Sequence, residues 1–283
     1  MSKLLHAELF KLRKRGMTWI VLFVTMGIIV IINLLLYAIS RIALSNPGSG
    51  GMSRMVNILD ISASIPFSLS MLSSFGAVMA VILIASTVGN EYNWRTLRIA
   101  LISGKGRVQL LAAKIISVAV VVIILVAVSL AVGFIMSIIT NAWAGNSLDF
   151  SFFTASYGWS QFLQFWRTLF IILPFMMMGL LFAVIGRSAM PGIAVGVGIL
   201  FLEPILTPLM RAAGGWVAEI PSYLFSANVN AINALSNLPR VFRFGGGSQQ
   251  APSTIEAYLV LGAYVVVFTA VAFYLFRKRD VTG

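Results

Sequence analysis

The sequence predicts an all-α polytopic membrane protein with six transmembrane helices and an N-terminal amphipathic helix at the interface. Three observations predict it. The chain is 59% hydrophobic and only 10% charged, whereas soluble domains carry about 25% charged residues. Its apolar residues fall in several uncharged blocks, each near or beyond the ~18 residues that read as a membrane-spanning helix. The net charge of +12 is spread over short segments between those blocks, as orientation signals are, and not gathered with aromatics on one basic surface as nucleic-acid binding requires. Nucleic acid is therefore not an expected partner. With no cysteine and a single histidine, His6, the chain lacks the donors for disulfides, Cys-ligated zinc, iron–sulfur clusters, a cysteine nucleophile or a multi-histidine metal centre.

Residues 2–15 open the chain as an amphipathic helix. Leu5, Leu9 and Leu12 fall on one stripe and Lys3, Lys11 and Lys14 point elsewhere, which suits a helix lying among anionic headgroups. The same basic residues also serve as a positive flank orienting the first span. That span, 17–39, is longer than the ~7–15 residues of a signal-peptide core, so it is expected to be retained. A loop with Arg41, Arg54 and Asp60 leads to the second span, 65–88. The third span is 110–139, with Lys114 near its start. A polar loop whose only charge is Asp149 precedes the fourth, 162–186. Arg187 and Ser188 alone separate it from the fifth, 189–210, which makes a tight hairpin, and the sixth is 257–276.

Six spans put both termini on one side. That side would hold 14 of the 20 Lys and Arg residues, counted from the loop assignments, so the positive-inside rule makes it cytoplasmic. Residues 89–107 then form a charged cytoplasmic segment between spans two and three. Glu91 and Arg95 stand at i, i+4, and Trp94, Leu97 and Leu101 recur at i, i+3, i+7. These spacings predict a short amphipathic helix with an apolar ridge, flanked by Arg95 and Arg98, that breaks at "SGKG". Two uses fit it: a knob seated in a groove of another protein, or a positive-inside loop anchored at the headgroups.

The stretch "NEYNWRTLRIALISGKGRVQLLAAK" resembles the signature of ABC-2 type transporter permeases, the membrane subunits of bacterial ABC exporters. Glu91, Thr96, Leu97, Arg98, Ser103, Arg107, Ala113 and Lys114 fill that pattern, while Arg95 stands where glycine is common. The interfacial helix and six-span layout match as well, so the resemblance covers essentially the whole chain as a single transmembrane domain, 1–283. It implies a bacterial cytoplasmic membrane location with both termini cytoplasmic. It also implies a second permease copy, as a homodimer, and two copies of a separate ATPase subunit that bind ATP and Mg. Residues 89–107 would be the coupling helix, with Glu91, Tyr92, Trp94, Arg95, Leu97, Arg98, Leu101 and Arg107 engaging the ATPase. The expected cargo is hydrophobic or amphipathic: a peptide antibiotic, drug or lipid. No cofactor is expected in this chain itself, because "SGKGR" lacks the first glycine and the hydroxyl residue of a phosphate-cradling loop. An ATP-independent ion-coupled carrier or channel is the alternative. An intramembrane enzyme would need converging titratable groups, and Glu203 is the one carboxylate well inside a span.

Charges at membrane depth mark functional positions by default. Arg167 and Glu203 stand at similar heights around the Arg187 turn, so three uses arise: a buried pair, independent snorkelling, or contact of Glu203 with cargo. Gly192 and Gly196 form a small-xxx-small stripe for helix packing, within one subunit or at a seam between two. Met176, Met177 and Met178 have two uses, lining an adaptable apolar cavity or meeting lipid; three adjacent residues cannot all face one way on a helix, so lipid contact is the expectation. Pro174, Pro191, Pro204 and Pro208 are expected to kink spans four and five. By the same resemblance, residues 211–255 would form short re-entrant or interfacial helices, with Trp216 and Tyr223 in an aromatic belt.

Overall fold

The computed structural model describes residues 2–45, 60–93, 106–145, 148–235 and 252–278. Helix α1 (Ser2–Lys14) is followed by α2 (Gly16–Ser45), α3 (Ile61–Asn93), α4 (Arg107–Ala144), α5 (Ala155–Gly186) and α6 (Ala189–Ala213). Two single 3-10 turns, Gly215–Ala218 and Ile220–Tyr223, lead into the short α7 (Phe225–Asn233), and α8 (Thr254–Lys278) closes the described chain. Six of these helices, α2 to α6 and α8, are long and apolar enough to cross a membrane. The protein is thus a helical, multi-pass membrane protein.

Helices α3 and α5 form the centre. In their most apolar windows 78% and 72% of residues are buried within the protein, against 17–33% in the other four spans. Small side chains let them meet: a methyl on Gly76 would lie 3.3 Å from Ile172, and one on Gly179 would lie 3.1 Å from Val81. The remaining spans surround this pair: α2 packs on α4, α6 lies against both α3 and α5, and α8 lies against α5 with an edge on α4. At their level α5 lies inside the bundle, and Met176, Met177 and Met178 are all buried. The expectation of lipid contact is therefore corrected for Met177 and Met178, which pack within the protein, while Met176, also buried, lines a groove between α4, α5 and α8. Four buried hydroxyls of α3, those of Ser64, Ser73, Ser86 and Thr87, donate to carbonyls of their own helix, as Ser73 does to Ser70 and Thr87 to Leu83.

Both described ends of the chain lie together. Arg107 Nη1 donates to the Arg277 carbonyl at 3.1 Å, joining the start of α4 to the end of α8. Leu4 of α1 packs on Leu110 and Ala113 of α4 at this same end.

Element boundaries run beyond the apolar blocks. Helix α4 starts at Arg107 and continues to Ala144, where Gly145 adopts a left-handed φ of 76° that ends it. Helix α5 begins seven residues before the expected span, capped by the Thr154 side chain, which accepts from the Tyr157 N–H. Hydropathy marks the hydrocarbon crossing, while helical hydrogen bonding continues past it until a cap intervenes. Helices α5 and α6 run through Pro174, Pro204 and Pro208, and Pro191 falls in the first turn of α6, where no N–H partner is needed. Helix α7 is inserted rather than laid outside: Phe225, Ala227, Asn228, Val229, Ala231 and Ile232 are buried. Its Phe225 stacks on Tyr264 of α8 with ring centroids 4.6 Å apart, and Asn233 donates to Ser73 of α3. Trp216 and Tyr223 are exposed.

Candidate functional site

The strongest concentration of buried charge lies where α1, α3 and α4 meet. Lys114 has no exposed surface, and Glu8 and Glu91 are 2% and 3% exposed. The Lys114 ammonium donates to Glu8 Oε2 at 2.9 Å and to Glu91 Oε1 at 2.5 Å. Lys11 adds a bond to Glu8 Oε1 at 2.7 Å, and Lys11 and Arg15 approach Glu91 at 3.8 and 3.7 Å from the rim. Burial alone would raise the Glu8 carboxyl, but Lys114 and Lys11 outweigh it and hold the group below its usual 4.5.

The sequence reaches this arrangement through one misplaced-looking residue. The buried stripe of α1 is Leu4, Glu8 and Leu12, with Leu5 and Leu9 only half-buried beside it. The expected leucine stripe is thus rotated toward a carboxylate, because the surface beneath α1 presents Lys114. Lys114 itself does not project from the bundle: it sits under α1 as the bridge between two acids. The signal was legible as the lone acid of a basic helix, set at i, i+4, i+8 with two leucines.

Glu91 and Tyr92 form the last turn of α3, at the base of segment 89–107. Tyr92 packs edge-on against Phe276 of α8 at 6.4 Å. Both side chains thus face the bundle, and the Glu91 carboxylate is engaged by Lys114. The expected partner Arg95 lies outside the described residues, as do Trp94, Leu97, Arg98 and Leu101. Arg107 falls on the first turn of α4 and tethers α8. Gly89 is pressed onto the α5–α6 corner, where an added methyl would overlap the backbone of Ser188 and Ala189.

Glu203 occupies a different environment. It is 6% exposed and accepts the backbone N–H of Ser226, in the first turn of α7. A helix N-terminus offers unpaired N–H groups and a favourable dipole to a carboxylate. Beside it lies a cavity of about 70 Å³ lined by Ser73, Ser74, Phe175, Glu203, Ser226 and Asn230, among others. Arg167 lines a separate groove with α4 and α8 residues, and no ion pair joins Arg167 to Glu203. Equal height was the basis for the expected pair, and azimuth decides otherwise: Glu203 turns toward α7 and Arg167 away from it.

Gly192 and Gly196 face inward. A methyl on Gly192 would come 2.5 Å from the Gly179 carbonyl oxygen, and one on Gly196 would strike Val81. The stripe therefore packs α6 on α3 and α5 within one chain.

Fold and buried polar groups together define a polytopic helical membrane protein with two separate buried-carboxylate sites. The chain belongs to the family described as Protein of unknown function (DUF2705), whose model matches residues 28–282. Glu91, Lys114, Arg167 and Glu203 all fall inside that match, while α1 and its Glu8 precede it. No curated protein matches the chain.

Proposed function

We propose that this chain is the membrane-spanning subunit of an ATP-driven exporter, moved by separate ATPase subunits that seat on residues 89–107. The observation that supports it best is the Glu8–Lys114–Glu91 cluster. It fastens the base of that segment to α1 and α4 through charge-assisted hydrogen bonds in a water-poor site, where they are strong and geometrically strict. A load applied at 89–107 is then shared by three helices instead of bending one. Removing one member of a buried ion pair is far more damaging than the pair's net worth, so the cluster works as a fixed joint. The cargo in this reading is hydrophobic or amphipathic, and the working unit is a pair of permeases in the bacterial cytoplasmic membrane.

The absence of cysteine from the sequence makes the test direct. The variant Arg98→Cys in the full chain should react with a membrane-impermeant maleimide only after the cytoplasmic face is opened. A photo-crosslinker at position 94 should capture an ATP-binding polypeptide. Labelling of the introduced thiol from outside intact cells, or cargo movement by the reconstituted chain alone, would overturn the proposal. One observation favours the second reading, an ion-coupled carrier: Glu203 places a carboxylate beside a cavity at membrane depth. Transport abolished by a protonophore but indifferent to nucleotide would select that reading.

A further inference from the structure

Arg167 sits in a groove that none of the foregoing uses. Helices α4 and α5 meet only glancingly, and between them and α8 lies an open slot of about 610 Å³. Its walls are Ala119, Val122 and Ile123 of α4, Leu169, Leu173 and Met176 of α5, and Tyr258 of α8, among others. Among the described residues, Arg167 is the only charged one lining it. Ile123 and Trp166 are 38% and 52% exposed, so the slot opens on the outside of the bundle. Along α5 the wall from Arg167 to Met176 covers about 14 Å at ~1.5 Å per residue.

Among the described residues the guanidinium has no protein acceptor. No carboxylate there lies within 4.0 Å of Arg167, and no hydrogen bond to it is formed. Five N–H donors in a planar fork are thus presented to whatever fills the groove. Position along the helix identifies the level. Arg167 and Arg187 bracket an uncharged stretch of α5, and about twenty residues at ~1.5 Å each span about 30 Å, the thickness of a hydrocarbon core. Arg187 ends the helix, which sets Arg167 at the opposite headgroup boundary, with the half-exposed Trp166 beside it. An apolar slot running from a headgroup-level arginine into the hydrocarbon matches one kind of molecule: an acyl chain carrying a phosphate.

We propose that the α4–α5–α8 groove holds an anionic phospholipid of the leaflet opposite the chain termini, its acyl chain in the slot and its phosphate on Arg167. Arginine recognises phosphate oxygens bidentately, and the flanking Trp166 and Tyr258 suit the wet end of such a site. The inference stands whether or not an ATPase drives the chain.

The test is native mass spectrometry of the full-length protein, offered dioleoyl phosphatidylglycerol and dioleoyl phosphatidylcholine in equal amounts. The wild type should retain phosphatidylglycerol at least about tenfold over phosphatidylcholine, a discrimination of roughly 1.4 kcal/mol. Arg167→Gln should erase that preference, Arg167→Lys should keep part of it, and Leu173→Trp should displace both lipids. Far-ultraviolet dichroism and melting of each variant identify any that fail to fold; the lysine and tryptophan variants then decide independently of the glutamine one. An unchanged preference in Arg167→Gln, or lipid retention indifferent to Leu173→Trp, would overturn the assignment. So would a shift in oligomeric mass with either substitution, since the groove would then be a seam between copies.

Discussion

Glu91 and Glu203 are the same residue type buried to nearly the same degree, 3% and 6% exposed, yet the protein uses them in opposite ways. Glu91 faces a buried ammonium from α4 and two rim cations from the N-terminal residues. Glu203 faces a helix terminus and an adjoining cavity, with no cation within 4.0 Å among the described residues. A carboxylate neutralised by a charge on another helix fixes the distance between those helices. One held only by the N–H and hydroxyl of a single serine, Ser226, remains available to anything entering its cavity. The contrast separates a structural joint from a site with spare capacity, and the sequence places them at opposite ends of the apolar core.

The largest effect should come from Lys114→Met. It strands two buried acids and should destabilise the protein by about 3–5 kcal/mol, read as a loss of melting temperature in detergent. The triple variant Glu8→Met, Glu91→Met, Lys114→Met should recover most of that stability, since apolar replacement of a whole buried cluster is often neutral, while on the proposed exporter reading transport stays impaired. Recovery of both would show that the charges hold no working geometry.

Next comes Gly89→Ala, whose methyl meets the backbone of Ser188 and Ala189. Backbone cannot step aside as a side chain can, so a loss of about 1–3 kcal/mol is expected. Gly196→Ala, opposed by the Val81 side chain, should lose less. Equal losses would mean that the corner is no tighter than the α3–α6 packing above it.

Acid should loosen the joint selectively. The Glu8 carboxyl is depressed in the folded state, so its stabilisation is fully present above the unfolded value near 4.5 and is lost as pH falls through the lower folded value. Melting temperature measured downward from about pH 7 should therefore hold until below about 4.5 and then drop, and Glu8→Gln should flatten that drop. The smallest effect is expected at the other site. Glu203→Gln keeps an acceptor for the Ser226 N–H and should change stability by no more than about 1 kcal/mol, whereas Glu91→Gln should cost about 1–3 kcal/mol by underpairing Lys114. A large loss at Glu203 would make it a second joint.

The six spans were legible because hydrocarbon imposes a length, and an apolar block of that length with at most one charge has little alternative. Helix ends were less so: Thr154 and Gly145 set them, and neither lies in an apolar run. The candidate site was half legible. Glu91 and Lys114 stood out by motif, but the pattern offered Arg95 as the nearer partner, since local spacing cannot see a helix 23 residues further on. Glu8 was legible only as the lone acid of α1, at i, i+4, i+8 with Leu4 and Leu12, a weaker signal than the leucine stripe beside it. Arg167 and Glu203 are the complementary case: residue counts fix axial height, while direction around the helix depends on how the helices pack.

The close seating of Gly89 on the Ser188–Ala189 corner has a mechanical consequence. With no room for even a methyl, there is no slack between the foot of α3 and the elbow joining α5 to α6. A shove on that foot would bear at once on the elbow, and through it on α6, which Gly192 and Gly196 seat just as closely against α3 and α5.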